Sequence, residues 1–210
     1  SYFIDNSILT SGGAIRIERS MNINITRSQF ARNRAGIVGG AIAFSTVFEA
    51  NVQDSNFTEN SCGDNGASIA CMVGDVCSFI RCIDHGSLSY GNGAFSFNNG
   101  EIEIGACIFI NQSCSSIYGE LFASAGVFSS TFVNYSTSCI YWVSKYSLAL
   151  HECIFDKTKS KSLVIDESNM LEKPIIEYCK YEIRIDEKII NENIPKVRFN
   201  FVRSDETFVS

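Results

Sequence analysis

The sequence predicts an all-β solenoid, because two independent motifs recur along it with one common period. The first motif is a small residue two places before an aromatic position, and subtracting neighbouring positions gives steps of 27, 27, 27, 25, 23, 23 and 26 residues for its small residue: Ser1, Ser28, Ser55, Cys82, Cys107, Ser130, Cys153 and Cys179. The second motif is a glycine pair followed by Ala-Ile, as in residues 12–15 and 39–42. Such a period is typical of a repeat architecture, here about eight coils of 22–27 residues.

Each repeat contains short alternating runs that predict β-strands. Ile15 and Ile17 alternate with polar residues, and so do Ile102 and Ile104; a period of two is the strand signature. Between the runs lie clusters of Gly, Asn, Asp and Ser, such as residues 63–66, which favour tight turns. We therefore expect each coil to hydrogen-bond to the coils on either side of it.

Equivalent positions in successive coils are expected to stack about 4.8 Å apart and to form columns. The aromatic positions predict an inward-facing ladder: Phe3, Phe30, Phe57, Phe109, Phe132 and Phe155. Asn6, Asn33 and Asn60 predict a second ladder at a corner, where each amide can bond to backbone or to the Asn one coil away. After the glycines, an alanine column is expected at Ala14, Ala41, Ala67 and Ala94.

The two motifs together resemble a known repeat. The pairing of GGA[ILV] with FxxN is similar to the polymorphic outer membrane protein repeat, found in chlamydial autotransporter passenger domains and in large surface-protein families of some parasitic protists. Full matches are residues 12–15 and 39–42 for the first half, and residues 3–6, 30–33 and 57–60 for the second half. The resemblance implies a right-handed parallel β-helix, a role in adhesion or surface display, and an extracellular or cell-surface location.

Composition and charge exclude several classes of partner. The chain of 210 residues is 45% hydrophobic and has a formal net charge of −6. It contains no Lys/Arg cluster, which argues against nucleic acid as a partner, and no run of 18 apolar residues that would predict a membrane span. We expect no cofactor, and no metal site, because there is no paired CxxC and the two histidines, His85 and His151, lie far apart in the sequence.

The character of the chain changes after residue 150. The last 60 residues carry 22 of the 40 charges and both prolines, Pro174 and Pro195. We therefore divide the chain into β-helix repeats at 1–156, and degenerate final coils with a charged C-terminal cap at 157–210. A cap of this kind would protect the last open coil from edge-to-edge association. A junction with a second domain is the alternative, and because the chain starts inside a repeat we expect it to be part of a longer protein.

The nine cysteines fall into two groups. One group stands in the small-residue column, where other coils use serine, and we interpret its members as core thiols: Cys82, Cys107, Cys153 and Cys179. Cys71 and Cys77 flank Gly74-Asp75 and are the better candidates for a disulfide across a loop, because parallel neighbours in a ladder hold their β-carbons too far apart for a relaxed bridge.

Four sequons for N-glycosylation begin at Asn24, Asn56, Asn111 and Asn134. They are candidate glycosylation sites in a secretory pathway. A chain this rich in Asn, Ser and Thr contains about three such triplets by chance, so the sequons do not by themselves indicate secretion.

A polysaccharide lyase or glycoside hydrolase is one alternative function, because parallel β-helices also host such enzymes. Catalysis would need carboxylates together on an exposed strand face. The candidates are Glu101 and Glu103, which alternate on one face, Asp75 one coil earlier, and the neighbours Asp84 and His85. Alternating polar residues are more simply explained as a solvated face, so we lean against an enzyme.

Aromatic residues concentrated between residues 118 and 146 form a candidate binding platform: Tyr118, Tyr135, Tyr141, Trp142 and Tyr146. If their rings are exposed along one face, they offer a surface to a sugar or a protein; if buried, they fill the core of the shorter coils. We therefore expect a non-enzymatic surface or secreted protein that binds a host or extracellular protein or glycan, with a passive structural stalk as the remaining alternative.

Overall fold

The alternating runs form twenty-one parallel strands that wind into a β-helix in the computed structural model. The structure describes residues 1–135, 138–156, 163–165, 170–171 and 173–181, without the side chains of Asp75, Asp156, Lys180 and Tyr181. The predicted all-β parallel solenoid is confirmed, with about six turns rather than eight. The last two rungs contribute strands to the sheets without a complete described turn, and for this reason the repeat count exceeds the number of turns.

Three parallel sheets run along the solenoid. The first sheet has eight short strands: β1 (Tyr2–Ile4), β4 (Gln29–Ala31), β7 (Asn56–Thr58), β10 (Ile83–His85), β13 (Ile108–Ile110), β15 (Thr131–Val133), β18 (Ile154–Asp156) and β21 (Lys180–Tyr181). The second sheet has only four: β2 (Ser7–Ile8), β5 (Arg34–Ala35), β8 (Ser61–Cys62) and β11 (Leu88–Ser89). The third sheet contains the long strands and their shorter successors: β3 (Ile15–Thr26), β6 (Ile42–Gln53), β9 (Ile69–Ile80), β12 (Phe95–Gly105), β14 (Ile117–Phe128), β16 (Ile140–Trp142), β17 (Leu148–His151), β19 (Leu163–Ile165) and β20 (Ile175–Glu177).

The long strands of the third sheet bend in the middle and therefore close two sides of the coil. At the bend a single residue adopts the left-handed conformation in three of these strands, with φ of 55° at Arg19, 58° at Thr46 and 56° at Leu121. One such residue reverses the local twist while the residues around it stay extended. The core side chains therefore come from the two halves of each long strand and from the first sheet.

The predicted phenylalanine ladder is confirmed inside the first sheet. Phe3, Phe30 and Phe57 stack nearly parallel with ring centroids 4.9 and 5.0 Å apart, and the second part of the ladder stacks in the same way from Phe109 to Phe155. Between the two parts the register places Asp84 opposite both Phe57 and Phe109. The ladder is therefore interrupted at one rung.

Phe95 fills the space that Asp84 leaves. Its ring packs edge-on against Phe57 at 5.7 Å and against Phe109 at 5.1 Å. Phe95 belongs to a third-sheet column in which the other described coils place Ile or Leu: Ile15, Ile42, Ile69, Ile117, Ile140 and Leu163. The large side chain missing from one wall of the coil is thus supplied from the opposite wall, which keeps the core densely packed.

This compensation predicts strong coupling between the two positions. We expect Asp84→Phe alone to overpack against Phe95 and Phe95→Ile alone to leave a cavity, so that each lowers stability. The double variant restores the usual pairing and should recover on the order of 2 kcal/mol relative to the sum of the single changes. Urea unfolding of the four proteins measures this coupling. Pairing Asp84→Phe with Phe97→Ile is the control, and equal coupling in both pairs would contradict the explanation.

The asparagine ladder is also confirmed, and its bonds link three coils. The Asn6 amide donates to Asn33 Oδ1 at 2.9 Å, and the Asn33 amide donates to Asn60 Oδ1 at 3.0 Å. Each amide also bonds to backbone, for example Asn33 Nδ2 to the carbonyl oxygen of Phe3 at 2.9 Å. Because Asn33 and Asn60 are 0% exposed, these bonds satisfy polar groups that water does not reach.

The small-residue column has a hydrogen-bonding role that explains why serine and cysteine alternate in it. Ser55 Oγ accepts the backbone N–H of Ser28 at 3.2 Å and donates to the carbonyl oxygen of Gln53 at 2.8 Å. Cys107 Sγ makes the same two bonds, to the N–H of Cys82 at 3.4 Å and the carbonyl oxygen of Gly105 at 3.4 Å. Both side chains are small and can donate and accept.

The predicted alanine column is wrong by one residue in the third coil. The register pairs Ile42 with Ile69, and the N–H of Ala41 donates to the carbonyl oxygen of Ser68; Ser68, not Ala67, therefore follows Ala41 in the column. Ala67 instead occupies the position of Gly40, where a Cβ on Gly40 would lie 2.0 Å from the Ala67 carbonyl oxygen. The third coil tolerates a side chain where its neighbour requires glycine.

Two corners of the helix carry charged residues in the left-handed conformation, which sequence reasoning assigned to Gly, Asn, Asp and Ser. Asp5 and Arg32 have φ of 56° and 52° and form a two-pronged ion pair at 2.7 and 2.8 Å. Asp54 and Arg81 at the other corner have φ of 51° and 53° and form a second such pair. Both pairs are exposed, so they help to specify the register between coils more than they add stability.

The predicted charged cap at 157–210 lies mostly outside the described residues. Within 163–165 and 173–181 the chain continues the first and third sheets through β19, β20 and β21. Over the described ranges, no helix is long and apolar enough to cross a membrane.

Candidate functional site: an uncharged groove at the coil step

A groove forms where the coils become shorter. The spacing between first-sheet rungs falls from 27 residues (Phe57 to Asp84) to 25 (Asp84 to Phe109) and then to 23 (Phe109 to Phe132). The second sheet ends at β11, since the shorter coils that follow contribute no described strand to it. The turn after β11 therefore stands at the edge of a step, and the surface drops away beside it.

The groove at this step has a volume of about 690 Å³. Its lining combines hydroxyl and amide groups with two tyrosine rings and one valine: Ser89, Tyr90, Gly91, Asn92, Ser113, Cys114, Ser115, Ser138, Tyr141 and Val164. None of these described lining residues is charged. A mostly polar, uncharged lining with aromatic faces suits a ligand that has many hydroxyl groups and apolar ring faces.

Backbone and side-chain bonds fix the two sides of the groove. On one side, the Gly91 N–H donates to the carbonyl oxygen of Asp64 at 3.0 Å, and the Ser89 hydroxyl donates to the same oxygen. A Cβ on Gly91 would lie 2.7 Å from Asp64 Oδ1, so a glycine is required there. On the other side, the hydroxyls of Ser115 and Ser138 bond to each other at 2.9 Å. The groove is therefore formed before any ligand binds.

The aromatic rings at the groove are Tyr90 and Tyr141. Tyr90 is 75% exposed at the edge of the step. Tyr141 is half-buried, and its ring stacks on that of Tyr118 at 5.6 Å because the two residues are adjacent in register on β16 and β14. A rigid, supported ring and a free ring on one groove provide two stacking faces for a ligand.

The five-residue aromatic platform expected from the sequence is wrong as a group. Tyr135 and Trp142 are buried, at 3% and 0% exposure, and Tyr118 is 6% exposed. Trp142 lies over Gly119 of the preceding coil, where a Cβ would come within 2.0 Å of the indole ring, so it fills the core of the shorter coils. Tyr146 is exposed but packs beside Phe122 rather than on the groove.

Sequence reasoning missed Tyr90, because it lies outside both repeat motifs and far from the tyrosine cluster in the sequence. The signal that could have located it is the change of period from 27 to 23 residues. A shortened coil must leave a step in a solenoid, and the turn just before the step becomes a wall.

The candidate catalytic residues do not form one site. Asp84 is wrong as a surface residue, because its side chain points into the core and is 1% exposed. His85, the next residue, is half-buried and faces the other way, as alternation along a strand requires; its Nε2 lies 3.1 Å from the Asn111 amide nitrogen. Glu101 and Glu103 are exposed together on the outer face of β12, and Glu103 accepts a bond from Ser78 at 3.2 Å. The Asp75 side chain lies outside the described part of the structure.

Asp84 belongs instead to a buried polar cluster. Its Oδ1 accepts bonds from Ser68 at 2.8 Å and from Ser87 at 2.7 Å, and those two hydroxyls are 2.8 Å apart. Gln112 donates to the Asp84 backbone carbonyl oxygen at 2.9 Å. Burial raises the pKa of Asp84 to about 7, although the bonds from Ser87 and Ser68 act in the opposite direction. The group is sealed from the surface and has no direct part in ligand binding.

All four sequon asparagines are exposed: Asn24, Asn56, Asn111 and Asn134. The last two bond to each other, with the Asn134 amide donating to Asn111 Oδ1 at 2.5 Å. A glycan on either of this pair would have to replace that bond, whereas Asn24 and Asn56 lie on strands β3 and β7. Use of any of the four stays a prediction.

The nine cysteines are all described, and each carries a thiol rather than a disulfide. Burial raises the pKa of Cys114, at the back of the groove, to about 12, so this thiol stays protonated and is not a nucleophile. Among the described residues, no three His, Cys, Asp or Glu side chains are grouped so as to hold a metal ion.

The fold and the groove define a parallel β-helix with an uncharged binding surface at its coil step. Comparison of the chain with protein-family models gave no match, and comparisons with curated proteins and with solved structures gave none either. The resemblance of the repeat motifs to the polymorphic outer membrane protein repeat therefore stays a prediction.

Proposed function

We propose that this chain is a non-enzymatic adhesion module, displayed at a cell surface or secreted, that binds an uncharged glycan in the groove at the coil step. The observation that carries the proposal is the groove itself: two tyrosine rings and several hydroxyl and amide groups, with no charged side chain among its described lining residues. The GGAI and FxxN motifs support the surface location, and the exposure of all four sequons is compatible with it.

The lining favours a sugar chain over other ligand classes. Sugar rings have apolar faces that stack on aromatic rings, and hydroxyl groups that bond to Ser, Asn and Tyr side chains. An acidic polysaccharide would need Arg or Lys at the groove, and residues 35–80, which precede it in the chain, contain neither. The hydroxyls of Ser113 and Tyr90 and the amide of Asn92 are the groups placed to orient a neutral ligand.

Electrophoresis through native gels that contain dissolved polysaccharide tests this proposal. We expect a neutral polysaccharide such as mannan, xylan or dextran to slow the protein, and polygalacturonate or hyaluronate to have no such effect. Tyr90→Ala and Tyr141→Ala should each weaken binding by about tenfold, since each removes one stacking face. Tyr2→Ala is the matched control, because Tyr2 is 78% exposed and lies on the first sheet, away from the groove.

Retardation that survives both groove variants would move the site elsewhere on the molecule. If no neutral polysaccharide slows the protein, the glycan proposal fails, and a protein ligand or a passive stalk takes its place.

A polysaccharide-cleaving enzyme is the second candidate, and one observation favours it. Glu101 and Glu103 lie on the same open face, two residues apart on one strand, which separates their Cα atoms by about 6.6 Å. That spacing falls near the range used by pairs of catalytic carboxylates. Both side chains are exposed, however, and a general acid normally needs a buried setting. Shortened polysaccharide chains after incubation with the protein, and their loss in Glu101→Gln, would establish catalysis.

A further inference from the structure

Cys71 and Cys77 form a thiol pair inside the bend of β9. They lie on either side of the bend, and both point into the core, at 1% and 3% exposure. The columns that contain them hold hydrocarbon side chains in the adjacent coils, namely Phe44 and Phe97 beside Cys71, and Ala50 and Ile102 beside Cys77. The fold therefore does not need thiol hydrogen bonds at these two positions, unlike in the small-residue column.

The two thiols are neighbours across the bend. Burial raises the pKa of the Cys71 thiol, and the adjacent Cys77 thiol raises it further. Gly74 lies at the bend between them, and a Cβ there would be 3.7 Å from Cys77 Sγ. The register with β6 shifts at this bend, so the backbone between the two cysteines is irregular and can adapt to a bridge.

We propose that Cys71 and Cys77 form a disulfide that locks the bend of β9 when the chain folds in the presence of a small-molecule disulfide. The thiolate of one cysteine attacks the S–S bond of the oxidant and releases one small thiol. The second cysteine then attacks the mixed disulfide and releases the other. Two protein thiols are oxidised, one small disulfide is reduced to two thiols, and those two products take up the two protons.

The bridge must form before the coil closes. Both thiols are buried in the folded protein, and a buried thiol forms its reactive thiolate with difficulty. During folding, the six-residue separation keeps the pair close while the oxidant can still reach it. The reduced and the bridged forms are therefore set by the redox conditions under which the chain folds.

The other close pair, Cys82 and Cys107, is not expected to bridge. These residues are neighbours in a parallel ladder, where β-carbons stack about 4.8 Å apart, further than the 3.5–4.5 Å that a relaxed disulfide uses. The Cys107 sulfur also accepts the Cys82 N–H at 3.4 Å, and a bridge would break that bond.

Peptide mapping after refolding tests the proposal. The full chain is refolded from urea in a mixture of reduced and oxidised glutathione, denatured, alkylated with N-ethylmaleimide and cut with trypsin. Cleavage after Arg34 and Arg81 gives one peptide, 35–81, that contains Cys62, Cys71 and Cys77. We expect this peptide to carry one maleimide, on Cys62, and to lack two hydrogens. Three maleimides, or a bridge that includes Cys62, would overturn the proposal.

Stability gives a second readout. The urea midpoint of the oxidised protein should fall when a reductant is added, and that shift should disappear in the Cys71→Ser/Cys77→Ser variant. Cys82→Ser/Cys107→Ser is the matched control, because it removes two buried thiols but should keep the full shift. A wild-type midpoint that does not respond to reductant would contradict a bridge that locks the bend.

Discussion

Replacement of Asp84 by Asn is expected to stabilise the protein at pH 8 by on the order of 4 kcal/mol. The Asp84 carboxyl is 1% exposed, its Oδ2 has no hydrogen-bond partner among the described residues, and burial raises its pKa from 3.8 to about 7. The folded state therefore binds a proton more tightly than the unfolded chain. Asn keeps an oxygen to accept the bonds from Ser68 and Ser87 and carries no charge to bury.

The sign of the pH dependence follows from the raised pKa. Below about pH 4 the carboxyl is protonated in both states, so its contribution to stability is fully present. As the pH rises from about 4 to about 7, the unfolded chain loses its proton first and the contribution is lost, and above about pH 7 the deficit stays constant. The advantage of Asp84→Asn should accordingly grow from nothing at pH 4 to its full value at pH 8.

Urea unfolding of the wild type and of Asp84→Asn at pH 4, 6 and 8 measures this difference. Glu101→Gln is the matched control, since it makes the same acid-to-amide change at an exposed position on a strand and should leave the pH profile nearly unchanged. Parallel stability curves for the wild type and the Asp84→Asn variant would mean that the carboxylate is stabilised by groups other than those seen here.

Asn33→Ala is expected to destabilise the protein by roughly 3 kcal/mol or more, because it interrupts the asparagine ladder at its centre. Asn33 Oδ1 accepts the Asn6 backbone N–H at 3.1 Å and the Asn6 amide at 2.9 Å, while its own amide donates to Asn60 Oδ1 and the Phe3 carbonyl oxygen. Alanine removes all four bonds and leaves partly or fully buried groups without partners, which costs more than the loss of the bonds alone.

Thermal unfolding checks this expectation, and two further variants define its cause. Asn24→Ala, at an exposed position, should change stability by less than about 0.5 kcal/mol. Asn33→Asp keeps the acceptor oxygen for Asn6 but loses both donors and places a charge in the core, so it should be worse than Ala at pH 7 and improve as the pH falls. A small effect of Asn33→Ala would show that water replaces the amide.

The periodic features of the fold could be predicted from the sequence because stacking turns a period into a column. The phenylalanine ladder and the asparagine ladder required only that equivalent residues lie one above another. The ladder role of the small-residue column also follows, although its bond pattern needed the structure. A one-residue error arose at Ser68, because a sequence motif identifies which residues recur and does not show which of two neighbours keeps the register.

The candidate site was much harder to predict. Trp142 and Tyr135 seemed available for binding on sequence grounds, but they fill the core where the coil contains fewer residues. Tyr90 and Tyr141 are far apart in the sequence and belong to different coils, and only the step between long and short coils brings them to one groove. A site of this kind depends on an irregularity of the repeat, which no motif encodes.

The sequence by itself determined the class of fold, the period and the identity of the main core columns, because each coil repeats the same local pattern and buries its own slice of the core. Only the tertiary structure decided which side chains face inward at the interrupted rung, how Phe95 replaces the missing ring beside Asp84, and where a groove opens. The physical reason is that local alternation and turn chemistry act within one coil, whereas packing density and surface shape depend on how coils of different length stack on one another.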